Sequence, residues 1–240
     1  MNNNTITALF MGRTDPKTDS WYPIAKMNWL RTGSEHKLKI VFTRGAEKFA
    51  QLYPNCPNII TFGSLAKPRF YPNFSSCAWS NRLPVNRPID PELAEYLGLG
   101  SNPDPIAYAS RSGGYRHGDY CDLFPETAKN DFNNYQYIFR PVARFAPSLP
   151  THCNLNWIRV GDRVTINSNF KLEVSGQTIG SAPPYIKYLY QQYGLKLHLN
   201  IHRVNPTAPQ TYQFLVLATL LDPKTTPFSA PDFLPIDGTV

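Results

Sequence analysis

Short apolar runs, each closed by Gly, Pro, Asn or Asp, recur along this chain and set its expected elements. Ile6-Thr7-Ala8-Leu9-Phe10, Trp21-Tyr22-Pro23-Ile24-Ala25 and Leu38-Lys39-Ile40-Val41-Phe42 read as extended, with the turn-rich Asp15-Pro16-Lys17-Thr18-Asp19 between the first two. Together they predict a β meander. Gly45 to Tyr53 predicts a short helix closed by Pro54, and Cys56 to Pro91, rich in Pro, Asn and Ser, reads as ordered loop. Asp90-Pro91-Glu92-Leu93 places an N-cap side chain before a proline at the first helical position, with Gly98 as the stop. Asn102-Pro103-Asp104-Pro105 opens a further short helix that Gly113-Gly114 ends.

The texture changes near residue 135. Tyr135 to Phe145 alternates as a strand, and a Gly161-Asp162 turn precedes the strand Arg163-Val164-Thr165-Ile166. Turns at Asn167-Ser168-Asn169 and Ser175-Gly176 link it to Lys171-Leu172-Glu173-Val174 and Thr178-Ile179-Gly180. Pro183-Pro184 starts a helix with Ile186, Leu189, Tyr190 and Tyr193 on its apolar face, Gly194 ends it, and Leu195 to Val204 alternates again. The expected fold class is α+β and β-rich. It comprises an N-terminal β meander with short helices over 1–135, a small OB-like barrel with one helix over 136–205, and a C-terminal extension over 206–240 packing on the body.

Composition sharpens this picture. At 240 residues and 42% hydrophobic content the chain carries a real core. Proline, at 23, is about twice its usual share, while charged residues are only 17%, which disfavours long helices. No apolar run approaches a membrane span, and Met1-Asn2-Asn3-Asn4-Thr5 lacks the features of a signal peptide, so a cytoplasmic protein without a membrane partner is expected. Cys56, Cys77, Cys121 and Cys153 show no close metal-ligand or redox spacing, and reduced, mostly buried thiols are expected. The net charge of +7 is unevenly spread: +7 over residues 1–90, −4 over 91–135, +6 over 136–221 and −2 over 222–240. Two basic blocks flank an acidic middle. Such blocks attract nucleic acid or another polyanion, against the plainer reading that they only keep the chain in solution.

Enzyme motifs are absent: there is no GxSxG, HExxH, Walker loop or GxGxxG, and no Asp/Glu pair stands out as an acid–base couple. No catalytic residue, cofactor or metal is therefore expected. The one Gly-rich basic loop contains Arg111, Gly113, Gly114 and Arg116, whose amides and guanidiniums suit a phosphate. The plain alternative is that the glycines only end a helix. Asp119 and Asp122 read as turn or capping residues of a polar loop. His198 and His202, four apart on a strand, lie about 13 Å apart on one face with Asn200, too far to share a metal. His117, Asp119 and Cys121 alternate similarly but lack a fourth ligand. Basic and aromatic residues interleave at Lys67-Pro68-Arg69-Phe70-Tyr71, Tyr137-Ile138-Phe139-Arg140 and Arg144-Phe145, which offers stacking faces beside phosphate-neutralising charge.

Residues 136 to about 205 resemble a HIRAN domain, through Arg140, Gly161-Asp162-Arg163-Val164-Thr165-Ile166, Gly176-Gln177-Thr178-Ile179-Gly180 and Pro183-Pro184-Tyr185-Ile186. The wider chain is similar to small bacterial proteins that end in such a domain, through Trp21-Tyr22-Pro23-Ile24, Thr43-Arg44-Gly45-Ala46, Asn81-Arg82, Arg87-Pro88 and Ser112-Gly113-Gly114-Tyr115-Arg116. The resemblance implies an OB-like barrel that holds single-stranded DNA and its 3′ end. The family's Asn-x-Tyr/His-Asp-x-x-Ala stretch is missing, and Asn167-Ser168-Asn169-Phe170 stands in its place, so no end-binding residue carries over. On charge and placement, DNA contacts are expected at Arg140, Arg144, Arg159, Arg163, Lys171 and Tyr185. The expected role is a non-catalytic DNA-binding accessory protein of a bacterial defence or repair complex. The alternative is a protein–protein adaptor in a nucleoprotein or toxin–antitoxin assembly, with no DNA affinity of its own.

Overall fold

The computed structural model describes residues 6–32, 35–54, 65–72, 82, 89–101, 103–114, 120–142 and 155–236. Their fold is α+β and β-rich, with two antiparallel sheets and four short helices. The first sheet contains β1 (Ile6–Thr14), β2 (Trp21–Thr32), β3 (Glu35–Phe42), β4 (Arg69–Tyr71) and β5 (Cys121–Thr127), in the order β4-β3-β2-β1-β5. The same half of the chain holds the helices α1 (Arg44–Leu52), α2 (Pro91–Tyr96) and α3 (Pro105–Ser112). The second sheet contains β6 (Tyr135–Phe139), β7 (Arg163–Ile166), β8 (Lys171–Val174), β9 (Gln177–Ser181), β10 (Leu197–Val204) and β11 (Phe214–Leu220), in the order β6-β11-β10-β7-β8-β9, with helix α4 (Pro184–Tyr193) beside it.

The meander, the helix starts at Asp90 and Asp104, and the strands of 163–181 form where hydrophobicity and turn residues place them. Asp90 Oδ1 accepts the Glu92 N–H at 2.9 Å, and Asp104 Oδ1 accepts the Ile106 N–H at 3.0 Å, each ahead of a proline at the first helical position. Two strands depart from expectation. The segment around Asp122 is not a polar loop but β5, an edge strand that accommodates Pro125 because an edge residue needs no second ladder partner. Within the expected C-terminal extension, Phe214–Leu220 is β11, inserted between β6 and β10.

The second sheet is open in strand order and is not a closed barrel. Its two edges meet at one point, where Val142 and Ser181 exchange backbone hydrogen bonds of 2.8 and 3.0 Å. Gly180 permits that approach, since a Cβ there would lie 2.5 Å from Pro141 Cβ.

Strand alternation gives the first sheet two apolar faces. Leu9, Met11 and Leu123 face α1 and α3 with Phe49 and Ala109. Phe10 and Phe124 face the other way, into a core shared with the second sheet, α4 and the C-terminal segment. There Phe124 stacks on Phe10 at 5.4 Å and on Tyr185 at 5.1 Å, and Phe228 and Phe233 close over them. Trp21 joins this cluster while its indole N–H donates to Asp122 Oδ1 at 3.1 Å.

Candidate nucleic-acid interface

Of the residues expected at DNA, Arg144 and Arg116 lie outside the described residues, as do Cys56, Cys77, Cys153, His117 and Asp119. The others fall into two groups. Tyr185 is 2% exposed and stacked in the aromatic core, because α4 turns that face onto Phe124. Arg140 leaves the end of β6 toward the helix α3 turn: its Nε donates to the Ser112 carbonyl at 2.9 Å and its guanidinium lies 5.0 Å over the Tyr212 ring. Lys171 Nζ donates across the hairpin to Ser181 Oγ at 3.0 Å. These three side chains serve the fold. Arg159 and Arg163, by contrast, are exposed.

The Gly-rich loop is likewise occupied. The Gly113 N–H donates to the Ala109 carbonyl at 2.9 Å and the Gly114 N–H to Ser112 Oγ at 3.3 Å, so neither amide is available to a phosphate. The loop carbonyls are taken too: Leu123 N–H reaches Gly113 and Arg82 reaches Gly114. Arg111 donates to the carbonyls of Leu97 and Gly98 at 2.7 and 2.8 Å, which ties α3 to the end of α2. Burial, then the neighbouring Arg203, pulls its guanidinium below the ordinary value.

His198 and His202 do sit on one strand, but in different surroundings. His198 is exposed, whereas a bulge between Ile201 and Arg203 sets His202 half-buried near Arg111 and Arg203. Burial, then those two cations, lowers its pKa. Among the described residues no group of three His, Cys, Asp or Glu side chains converges as a metal site needs.

The feature that sequence reasoning missed is a gap in the second sheet. β7 pairs with β10 only at Val164–Leu199 and Arg163–Asn200, then leaves it to pair with β8 at Thr165–Glu173 and Ile166–Leu172. The divergence opens a cleft of about 460 Å³ that reaches from the outer face of the sheet to the end of α4. Its rim carries Arg163, Thr165, Leu195, His198 and Asn200, and Tyr190 and Leu197 line its depth. The Asn200 amide donates to the Gly161 carbonyl at 3.0 Å, and Asp162 Oδ2 accepts the Arg159 N–H at 2.7 Å, so the 159–162 turn is fixed beside the rim. Among the described residues, Arg159, Arg163 and Lys196 have no carboxylate within ion-pair distance. Glu173, the nearest acid on β8, accepts the Asn167 amide at 2.5 Å. No helix among the described residues is long and apolar enough to cross a membrane. No protein-family model, no curated protein and no solved structure matches this chain.

Proposed function

We propose that this protein binds single-stranded nucleic acid, as a non-catalytic accessory subunit of a nucleoprotein complex, and that the cleft between β7 and β10 is the contact. The observation that carries the reading is a cleft with Arg163 on its rim and a tyrosine and a leucine in its depth, next to the exposed Arg159 of the 159–162 turn and the exposed Lys196, none of the three ion-paired among the described residues. Arg163 on the rim, with Arg159 and Lys196 beside it, neutralises phosphates, while Tyr190 and Leu195 offer faces for bases. The +6 balance of residues 136–221 favours the same partner, and the HIRAN-like order of elements supports a single strand over a duplex.

Fluorescence anisotropy with a labelled oligothymidylate of about 20 nucleotides, across a salt series, tests this. Binding tightens at low salt, and the triple variant R159A/R163A/K196A shows a slope of log K against log salt shallower by about 2, at ~0.7 per phosphate contact. Lys171→Ala leaves the slope unchanged. An absence of binding at low salt, or a triple variant that binds like the parent, overturns the proposal. The exposed Leu195 and Val160 beside the cleft would then favour the adaptor reading.

A further inference from the structure

On the opposite side of the first sheet, the turn after β1 and the end of α1 enclose a hollow of about 420 Å³, with Arg13, Asp15, Lys17, Phe49, Leu52 and Tyr53 in its walls. That volume is within the ordinary range for small-molecule sites. Its walls are mostly apolar, and Leu52 stands at its edge 57% exposed. Arg13 enters it from β1. The guanidinium lies 5.1 Å over the Phe49 ring and Nη1 donates to Cys121 Sγ at 3.7 Å, yet Nε is buried without an acceptor. No carboxylate pairs with this arginine among the described residues.

The one acid in the hollow is already engaged. Asp15 accepts the Thr18 hydroxyl at 2.5 Å and the Lys17 N–H at 3.0 Å, and Tyr53 donates to it as well. With Asp15 ionised, Arg13 and Lys17 leave the hollow with one net positive charge. A half-buried arginine without a carboxylate partner among the described residues, set over aromatic and aliphatic surface, is an arrangement that an anion with an apolar body would complete.

We infer that this hollow is a binding site for a small aromatic or aliphatic carboxylate, with Arg13 receiving the carboxylate and Phe49, Leu52 and Tyr53 covering the hydrocarbon. The site is independent of the nucleic-acid cleft and stands whether or not that reading holds.

Phenylacetate is the probe, titrated into the whole chain and followed by amide chemical shifts around residues 13–17 and 49–54. Saturable binding is expected at about 1 mM or tighter. Phenylacetamide, the same shape without the charge, binds at least about tenfold more weakly, and inorganic phosphate does not compete. Leu52→Glu, at an exposed position that does not threaten folding, weakens phenylacetate about tenfold by placing a like charge at the edge; Arg13→Gln does the same where it folds. Several results would overturn the inference. They are no saturation by about 10 mM, equal binding of the amide, displacement by phosphate, or full affinity in the Leu52→Glu variant.

Discussion

Asp15 shows how a single side chain shapes this chain's response to pH. Hydrogen bonds from the Thr18 and Tyr53 hydroxyls, with the N–H groups of Lys17 and Thr18, outweigh its burial and hold the carboxyl down at about 2, from an ordinary 3.8. The same contact, led by the hydrogen bond to Asp15, pushes Tyr53 up to about 12. A depressed acid stabilises the fold fully above its unfolded value and loses that contribution as pH falls toward the folded one. Acid denaturation between about pH 4 and pH 2 is therefore expected to be steeper in the parent than in Asp15→Asn, measured by tyrosine and tryptophan fluorescence. Parallel curves would mean that Asp15 is equally solvated in both states. Gly114 is a second residue of this kind: its φ is +56° and a Cβ would lie 2.6 Å from Leu123 Cδ1. Gly114→Ala is expected to cost about 1–3 kcal/mol in urea denaturation, from backbone strain and the displaced leucine together.

At the scale of elements, the chain's punctuation was legible and its partnerships were not. Asp90-Pro91 and Asp104-Pro105 announce α2 and α3 because capping is a local interaction. β11 escapes alternation because Phe214–Leu220 is apolar almost throughout, although only one face, Phe214, Val216, Ala218 and Leu220, is buried along its whole length; the unbroken run is itself the available signal. β5 was hidden by Asp122 and Pro125, whose placement depends on Trp21 and on the sheet edge. The interface behaved in the same way. Arg163 could be placed from its strand, but whether Arg140 reaches solvent depends on α3, and the cleft exists only because β7 leaves β10. Arg111 gives the element-scale prediction. Its guanidinium is the tie between α3 and the carbonyls that end α2, so Arg111→Ala is expected to destabilise by about 1.5–3 kcal/mol, as loss of charged hydrogen bonds does. Hydrogen exchange should rise first in 91–112. Uniformly raised exchange across both sheets would show that the tie is not local.

For the whole molecule, the question is whether two sheets of different sequence texture unfold together. Their joint is aromatic. Phe10 and Phe124 come from the first sheet, Tyr137 from the second, Tyr185 and Tyr188 from α4, and Phe228 and Phe233 from the segment after β11. Ring centroids 5.1–5.4 Å apart at Phe124–Tyr185, Phe124–Phe228 and Phe10–Phe124 mean that no face of this cluster belongs to one sheet alone. Opening either sheet exposes the joint and costs the other its packing, so unfolding is expected as one transition, with near- and far-ultraviolet circular dichroism coincident. Phe228→Ala removes a fully packed ring from the middle of the cluster and is expected to cost about 3–5 kcal/mol, lowering the midpoint of both signals together. If the variant instead resolves two transitions, each sheet carries its own stability and the aromatic joint is only an interface between them.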